Sequence, residues 1–104
     1  MLMNNQDFPK LSSKEFAILE MLITNGEMFG LEMVEASEGV LKRGTIYVTL
    51  QRMGEKGLVE SHAEPRSEGE IGIARRIYKA TGLGERIFKA QQLALKYLSL
   101  GWEN

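Results

Sequence analysis

Residues 43–60, RGTIYVTLQRMGEKGLVE, carry the pattern that decides the fold. Ile46, Leu50 and Met53 recur at helical spacing and give the segment one buried side. Gly44, Val48, Gln51 and Arg52 project opposite that stripe, flanked by Thr45 and Tyr47. A solvated helix face usually mixes Glu with Lys. This one combines small, amide-bearing and cationic groups, a surface suited to meeting something more structured than water.

Working outward, Ser12 and Glu15 stand at capping-box spacing before the apolar run EFAILEMLIT, and Asn25–Gly26 suit the left-handed turn that closes a helix. Phe16, Leu19, Leu22 and Ile23 form one stripe of this first helix, while Ala17, Ile18 and Met21 leave a second side apolar. Two greasy sides call for two partners, the core and a second subunit. FGLEMVEAS reads as a shorter second helix, and EGVLK links it to the quoted segment.

Beyond Gly57 the period changes. LVESHA and IARRIYKA have strand composition and flank EPRSEGEIG, which suits a hairpin loop, so a two-stranded ribbon is expected. Thr81 can cap a last helix, in which Leu83, Ile87, Ala90, Ala94 and Tyr97 repeat at alternating steps of four and three. Such a seam suits a short coiled coil with a partner. Phe88, Leu95 and Leu98 add a second stripe to the same helix.

Composition bounds what this chain can do. Its 104 residues make one small domain. Thirteen basic against fourteen acidic residues argue against a surface that is cationic throughout, leaving a local basic patch as the alternative. With no cysteine there is neither a disulfide framework nor a thiolate site. No apolar run approaches the roughly 18 residues of a membrane span, and the expected location is cytoplasmic. Paired catalytic carboxylates, a nucleophile elbow and an HExxH pattern are all missing, so an enzyme is not expected, nor a metal or cofactor. His62, the single histidine, receives no role. Gly82–Leu83–Gly84 matches the opening of a dinucleotide loop, but Ile87 stands where the third glycine belongs; the glycines are read as a tight strand-to-helix turn. Met21, Met28, Met33 and Met53 are read as core.

Three helices, a hairpin and a closing helix describe a mainly α chain with a small β-hairpin wing. This is a winged helix-turn-helix over residues 1–80, with an N-terminal extension, plus a C-terminal dimerisation helix over 81–104. The third helix of that motif enters the DNA major groove. Gln51 can pair with adenine, Val48 can meet a thymine methyl, and Arg52 can pair with guanine or a phosphate. Lys42, Arg43, Arg66, Arg75 and Arg76 supply cations for the backbone, although successive strand side chains point oppositely, so Arg75 and Arg76 cannot share one groove on a regular strand. The alternative is a winged-helix module that binds a protein through Tyr47 and Val48. Rising salt would separate the two, weakening phosphate contacts far more than apolar ones.

FGLEM at 29–33, RGTIYVTLQRMGEKGLVE at 43–60 and ARRIYKATGLGER at 74–86 resemble the PadR family of bacterial transcriptional regulators, over about Ser12 to Ala90. The most specific element is Gly44–Thr45–Ile46–Tyr47, followed by Leu50, Met53 and the Gly57–Leu58–Val59 exit. The resemblance implies a homodimer joined through C-terminal helices, repression of nearby genes often relieved by a small molecule, and DNA contact by Tyr47 and its neighbours. In multidrug-sensing members, aromatic residues of the last helix line a pocket between subunits. Tyr97 and Trp102 are therefore the candidate effector pocket for a small aromatic molecule. The chain departs from the family pattern at Leu31, where an aromatic residue is common, at Val48, where proline is frequent, and in a wing that carries Glu64, Glu68 and Glu70.

Overall fold

The first helix, α1 (Ser13–Asn25), starts where its local chemistry predicts. The Ser12 hydroxyl accepts from the Glu15 N–H at 3.1 Å, and the Glu15 carboxylate accepts from the Ser12 N–H at 2.9 Å. Two end groups of the helix are thus satisfied reciprocally. Gly26 closes it with a φ of 81°, its N–H donating to the Leu22 carbonyl at 2.9 Å. The computed structural model describes residues 10–65 and 75–100. Within them follow β1 (Met28–Phe29), α2 (Gly30–Ala36), α3 (Ile46–Glu55), β2 (Val59–Ala63), β3 (Arg76–Ala80) and α4 (Gly82–Leu100).

The expected two-stranded ribbon is a three-stranded antiparallel sheet in the order β1-β3-β2. Met28 pairs with Tyr78 and Phe29 with Ile77, while β2 and β3 run in register from Val59 opposite Ala80 to Ala63 opposite Arg76. Phe29 therefore leaves the second helix, where the sequence reading puts it. Its backbone is extended, and its N–H donates to the Glu32 carboxylate at 2.7 Å, so it closes a strand and starts α2 at once.

The end of α3 shows why MGEKGLV follows the apolar stripe. Leu58 N–H donates to the Met53 carbonyl at 2.9 Å and Gly57 N–H to the Gly54 carbonyl at 3.0 Å, with Gly57 at φ 77°. This is a Schellman closure, and Met53 and Leu58 are both buried, supplying the apolar contact that accompanies it. The chain passes directly from this turn into β2.

Ile46, Leu50 and Met53 join Leu19, Leu22, Met33, Val59 and Tyr78 in one core. Phe16 and Phe88 clamp α1 to α4 with ring centroids 4.6 Å apart. Two residues expected at a dimer interface belong to this core instead. Ile18 is 0% exposed and Ile87 8%, because α1 is wrapped on two sides by its own protomer and α4 packs across it. Ile18 has no surface left for a partner and Ile87 little. Met21, expected in the same interface, is partly buried against the core, and Ala17 is intermediate in exposure.

The start of α4 is built by Thr81, as its position predicts. Its hydroxyl accepts from the Gly84 N–H at 3.0 Å and donates to the Gly57 carbonyl, and its N–H donates to the Leu58 carbonyl at 3.0 Å. Gly84 has a role beyond turning the chain, since a side chain there would overlap the Leu58 carbonyl. Farther along, the Gln91 amide bridges the Leu11 backbone, accepting from its N–H at 2.9 Å and donating to its carbonyl at 3.4 Å. From Gln92 to Ser99 every residue is exposed, including Leu93, Leu95 and Leu98. No helix among the described residues is long and apolar enough to cross a membrane.

Candidate nucleic-acid interface

With Ile46, Leu50 and Met53 spent on the core, the rest of α3 forms a ridge on the surface. Tyr47 and Val48 are each 50% exposed, and Thr45, Gln51 and Arg52 are exposed as well. Lys42 and Arg43 are exposed just before the helix, where the Lys42 carbonyl accepts from the Thr45 and Ile46 N–H groups at 3.2 and 3.0 Å. The helix starts at Ile46, and Thr45 makes no side-chain cap. Leu41, buried and tied by its N–H to the Ser37 hydroxyl at 2.9 Å, anchors the incoming loop.

Tyr47 is set by its neighbour on α2. Gly30 lies beneath the ring so closely that a Cβ there would come within 2.8 Å of Tyr47 Cε1. The absent side chain leaves the room that Tyr47 Cε1, Cζ and the hydroxyl occupy against the start of α2.

The ridge separates two furrows. Toward α1, Thr45, Val48, Arg52 and Lys56 face Lys10 and Lys14, with Glu15 at the base. Toward the wing, Tyr47, Gln51 and Glu55 face Glu60, Ser61, Arg76 and Tyr78. Burial by itself would raise the Glu15 carboxyl, but the Lys56 ammonium at 2.7 Å and the Ser12 amide and hydroxyl outweigh it and hold its pKa below the ordinary value. Burial pushes the Tyr78 phenol up, against the opposing Arg76 charge, so it stays protonated and able to donate.

The predicted cations divide accordingly. Arg76 shares the helix-facing side of β3 with Tyr78 and reaches the wing furrow, its Nε donating to the Ser61 hydroxyl at 3.1 Å. Arg75 points elsewhere, stacked 4.0 Å from the Phe29 ring centroid and paired with Glu64 at 3.0 Å. The alternation expected from sequence thus separates the two arginines. Arg66 and Trp102 lie outside the described residues, as do Glu68 and Glu70. Leu83, Ala90, Ala94 and Tyr97 are exposed on α4. Sequence reasoning misses Lys10, Lys14, Lys56 and Gly30, none of which carries a local signal for a place beside α3. Among the described residues no group of His, Asp and Glu is arranged to hold a metal ion.

A ridge helix backed by two further helices and flanked by a β wing defines a winged helix-turn-helix domain of the DNA-binding class. The family model for the transcriptional regulator PadR-like family matches residues 18–90. The protein belongs to that family, one of transcriptional regulators and not of enzymes. No curated protein matches the chain. Among solved structures it is similar to a PadR family transcription regulator from Clostridium difficile R20291, with 23% identity, TM-score 0.71, and 85% of this chain and 92% of that one covered. A PadR family regulator from Eggerthella lenta DSM 2243 gives 20% identity and TM-score 0.68, covering 84% of this chain and 75% of that one. The fold extends to an Escherichia coli MarR mutant complexed with operator DNA, at 18% identity and TM-score 0.63, with 78% of this chain and 53% of that one covered.

Proposed function

We propose that the protein is a homodimeric repressor that reads a pseudo-palindromic DNA operator through α3 and is relieved by a small aromatic effector. The observation that carries the reading is the α3 ridge, where Tyr47, Val48, Gln51 and Arg52 stand exposed on a helix whose other side is locked into the core. Gln51 pairs with adenine, Val48 meets a thymine methyl and Arg52 takes guanine, while Lys42 and Arg43 hold the backbone at the helix start. Arg76 contributes from the wing. Arg75, engaged with Glu64 and Phe29, contributes less unless DNA displaces that pair.

The homodimer is supported by α4 beyond Gln91, where Leu93, Leu95 and Leu98 are 54%, 49% and 70% exposed. A helix with that much apolar surface and no cover from its own protomer is completed by a second copy. Leu83, Ala90 and Ala94 continue the exposed face toward the helix start. The effector lies between subunits against Tyr97 in this reading. Twofold symmetry then sets half-sites about 34–36 Å apart, or a multiple of that.

The test is binding to the duplex upstream of the protein's own gene and to a scrambled duplex of equal length, at two salt concentrations, with Arg52→Ala in parallel. The expected result is a preference for the upstream duplex that salt weakens. Arg52→Ala should cost about 1–3 kcal/mol on that duplex and much less on the scrambled one. Weak, equal and salt-insensitive binding to both would overturn the DNA reading and turn the α3 face toward a protein partner.

A further inference from the structure

We infer that the phosphate backbone of one DNA strand runs along the α1-side furrow, held by Lys10 and Lys14, so that this side is a stronger electrostatic anchor than the described part of the wing. The inference rests on the DNA reading above and adds two residues and a strand path to it.

The two furrows differ in charge. The α1 side brings together Lys10, Lys14, Arg52 and Lys56 against the single carboxylate of Glu15, which Lys56 already neutralises at 2.7 Å. Among the described residues the wing side has Arg76 against Glu55 and Glu60, the latter paired with Lys79 at 3.3 Å. A phosphate backbone entering beside α3 is attracted more strongly on the α1 flank than by the described, nearly balanced charges of the wing flank.

Availability differs in the same direction. Arg76 is engaged with Ser61, and Arg75 with Glu64 and Phe29. Among the described residues Lys10 and Lys14 have no ion-pair partner. They stand across the furrow from Thr45, Val48 and Arg52, so a strand whose bases meet the α3 ridge carries its phosphates past them. Among the described residues no ion pair must be broken for them to bind.

Each phosphate neutralised steepens the fall of binding with salt by roughly 0.9 in log–log slope. The experiment measures that slope between about 50 and 200 mM salt for the full-length protein on the upstream and scrambled duplexes. Lys10→Gln/Lys14→Gln is compared with wild type and with Lys89→Gln/Lys96→Gln, which removes equal charge from exposed positions on α4. The first double variant should lower the slope by about 1.8 per protomer, and so by about 3.6 for a dimer engaging both half-sites, on both duplexes. It should leave the ratio between them unchanged, because phosphate contacts carry no sequence information. The α4 variant, first shown by light scattering to be as dimeric as wild type, should keep the wild-type slope. A steep wild-type slope that Lys10→Gln/Lys14→Gln shares, or equal reductions in both double variants, would overturn the strand path while leaving DNA binding standing. A wild-type slope near zero on both duplexes would overturn the DNA reading and this inference with it.

Discussion

Replacing Gly84 by alanine tests how closely α4 is seated. An added Cβ would fall well inside van der Waals contact with the Leu58 carbonyl oxygen, 3.1 Å from its carbon and 3.2 Å from Leu19 Cδ2. Backbone cannot rotate away as a side chain can, so the first turn of α4 must withdraw. Withdrawal loosens the Thr81 N–H bond to that same carbonyl, now 3.0 Å, and the Gly84 bond to the Thr81 hydroxyl, also 3.0 Å. Overpacking costs about 1–3 kcal/mol and a weakened cap about 1 more, while alanine returns at most about 1 through helix propensity. The net expectation is a loss of about 1–3 kcal/mol, or roughly 4–24 °C in Tm for a domain of this size. Gly82→Ala is the control. The nearest atom to its Cβ is the end of the Arg86 side chain at 3.5 Å, so it should be neutral or slightly stabilising. Both are measured by thermal unfolding at one fixed protein concentration, since assembly would make Tm concentration-dependent. If Gly84→Ala matches or exceeds wild type, the close seating of α4 on the Leu58 turn is wrong.

Three further outcomes follow from the geometry. Gly30→Ala should displace the half-exposed Tyr47 ring at a stability cost of about 1 kcal/mol or less; it should weaken binding to the preferred duplex, an effect absent when Tyr47→Ala is already present. Glu15 has a lowered folded pKa, so its contribution is present above the unfolded value, 4.5, and is lost as pH falls through the folded one; denaturant melts of wild type and Glu15→Gln should therefore converge on acidification below that range, and a constant gap would refute the Lys56 pairing. Leu95→Ser/Leu98→Ser should shift the protein from dimer to monomer in light scattering without lowering the helical content of α1 to α3, whereas an unchanged mass would remove α4 from the interface.

The parts of the fold that can be read from sequence are those whose cause is local. Ser12 and Glu15 are three residues apart, Thr81 and Gly84 likewise, and the Schellman closure lies within Met53–Leu58, so one short window holds each signal. Strand β1 has no such window: two residues cannot express a period, and Met28–Phe29 become a strand only by pairing with Tyr78 and Ile77. Helical periodicity reveals that α1 and α4 have two apolar sides but not who covers them, which is why Ile18 and Ile87 fall inside the protomer. For the candidate site, the exposed ridge on α3 follows from its own stripe. The flanking lysines do not, because Lys10 and Arg52 meet only through the packing of α1 on α3.

The two-residue strand β1 has a mechanical consequence. It sits between α1 and α2 in the chain yet is hydrogen-bonded to β3, so it rivets the described part of the wing to the helices that carry α3. Wing and ridge are thus tied into one body, from which the uncovered end of α4 stands apart. In a dimer joined there, the two bodies behave like the jaws of a caliper: the crossing angle of the α4 helices fixes the gap between the α3 ridges, and a substitution on that helix can change which operator spacing is accepted without altering any residue that faces a base.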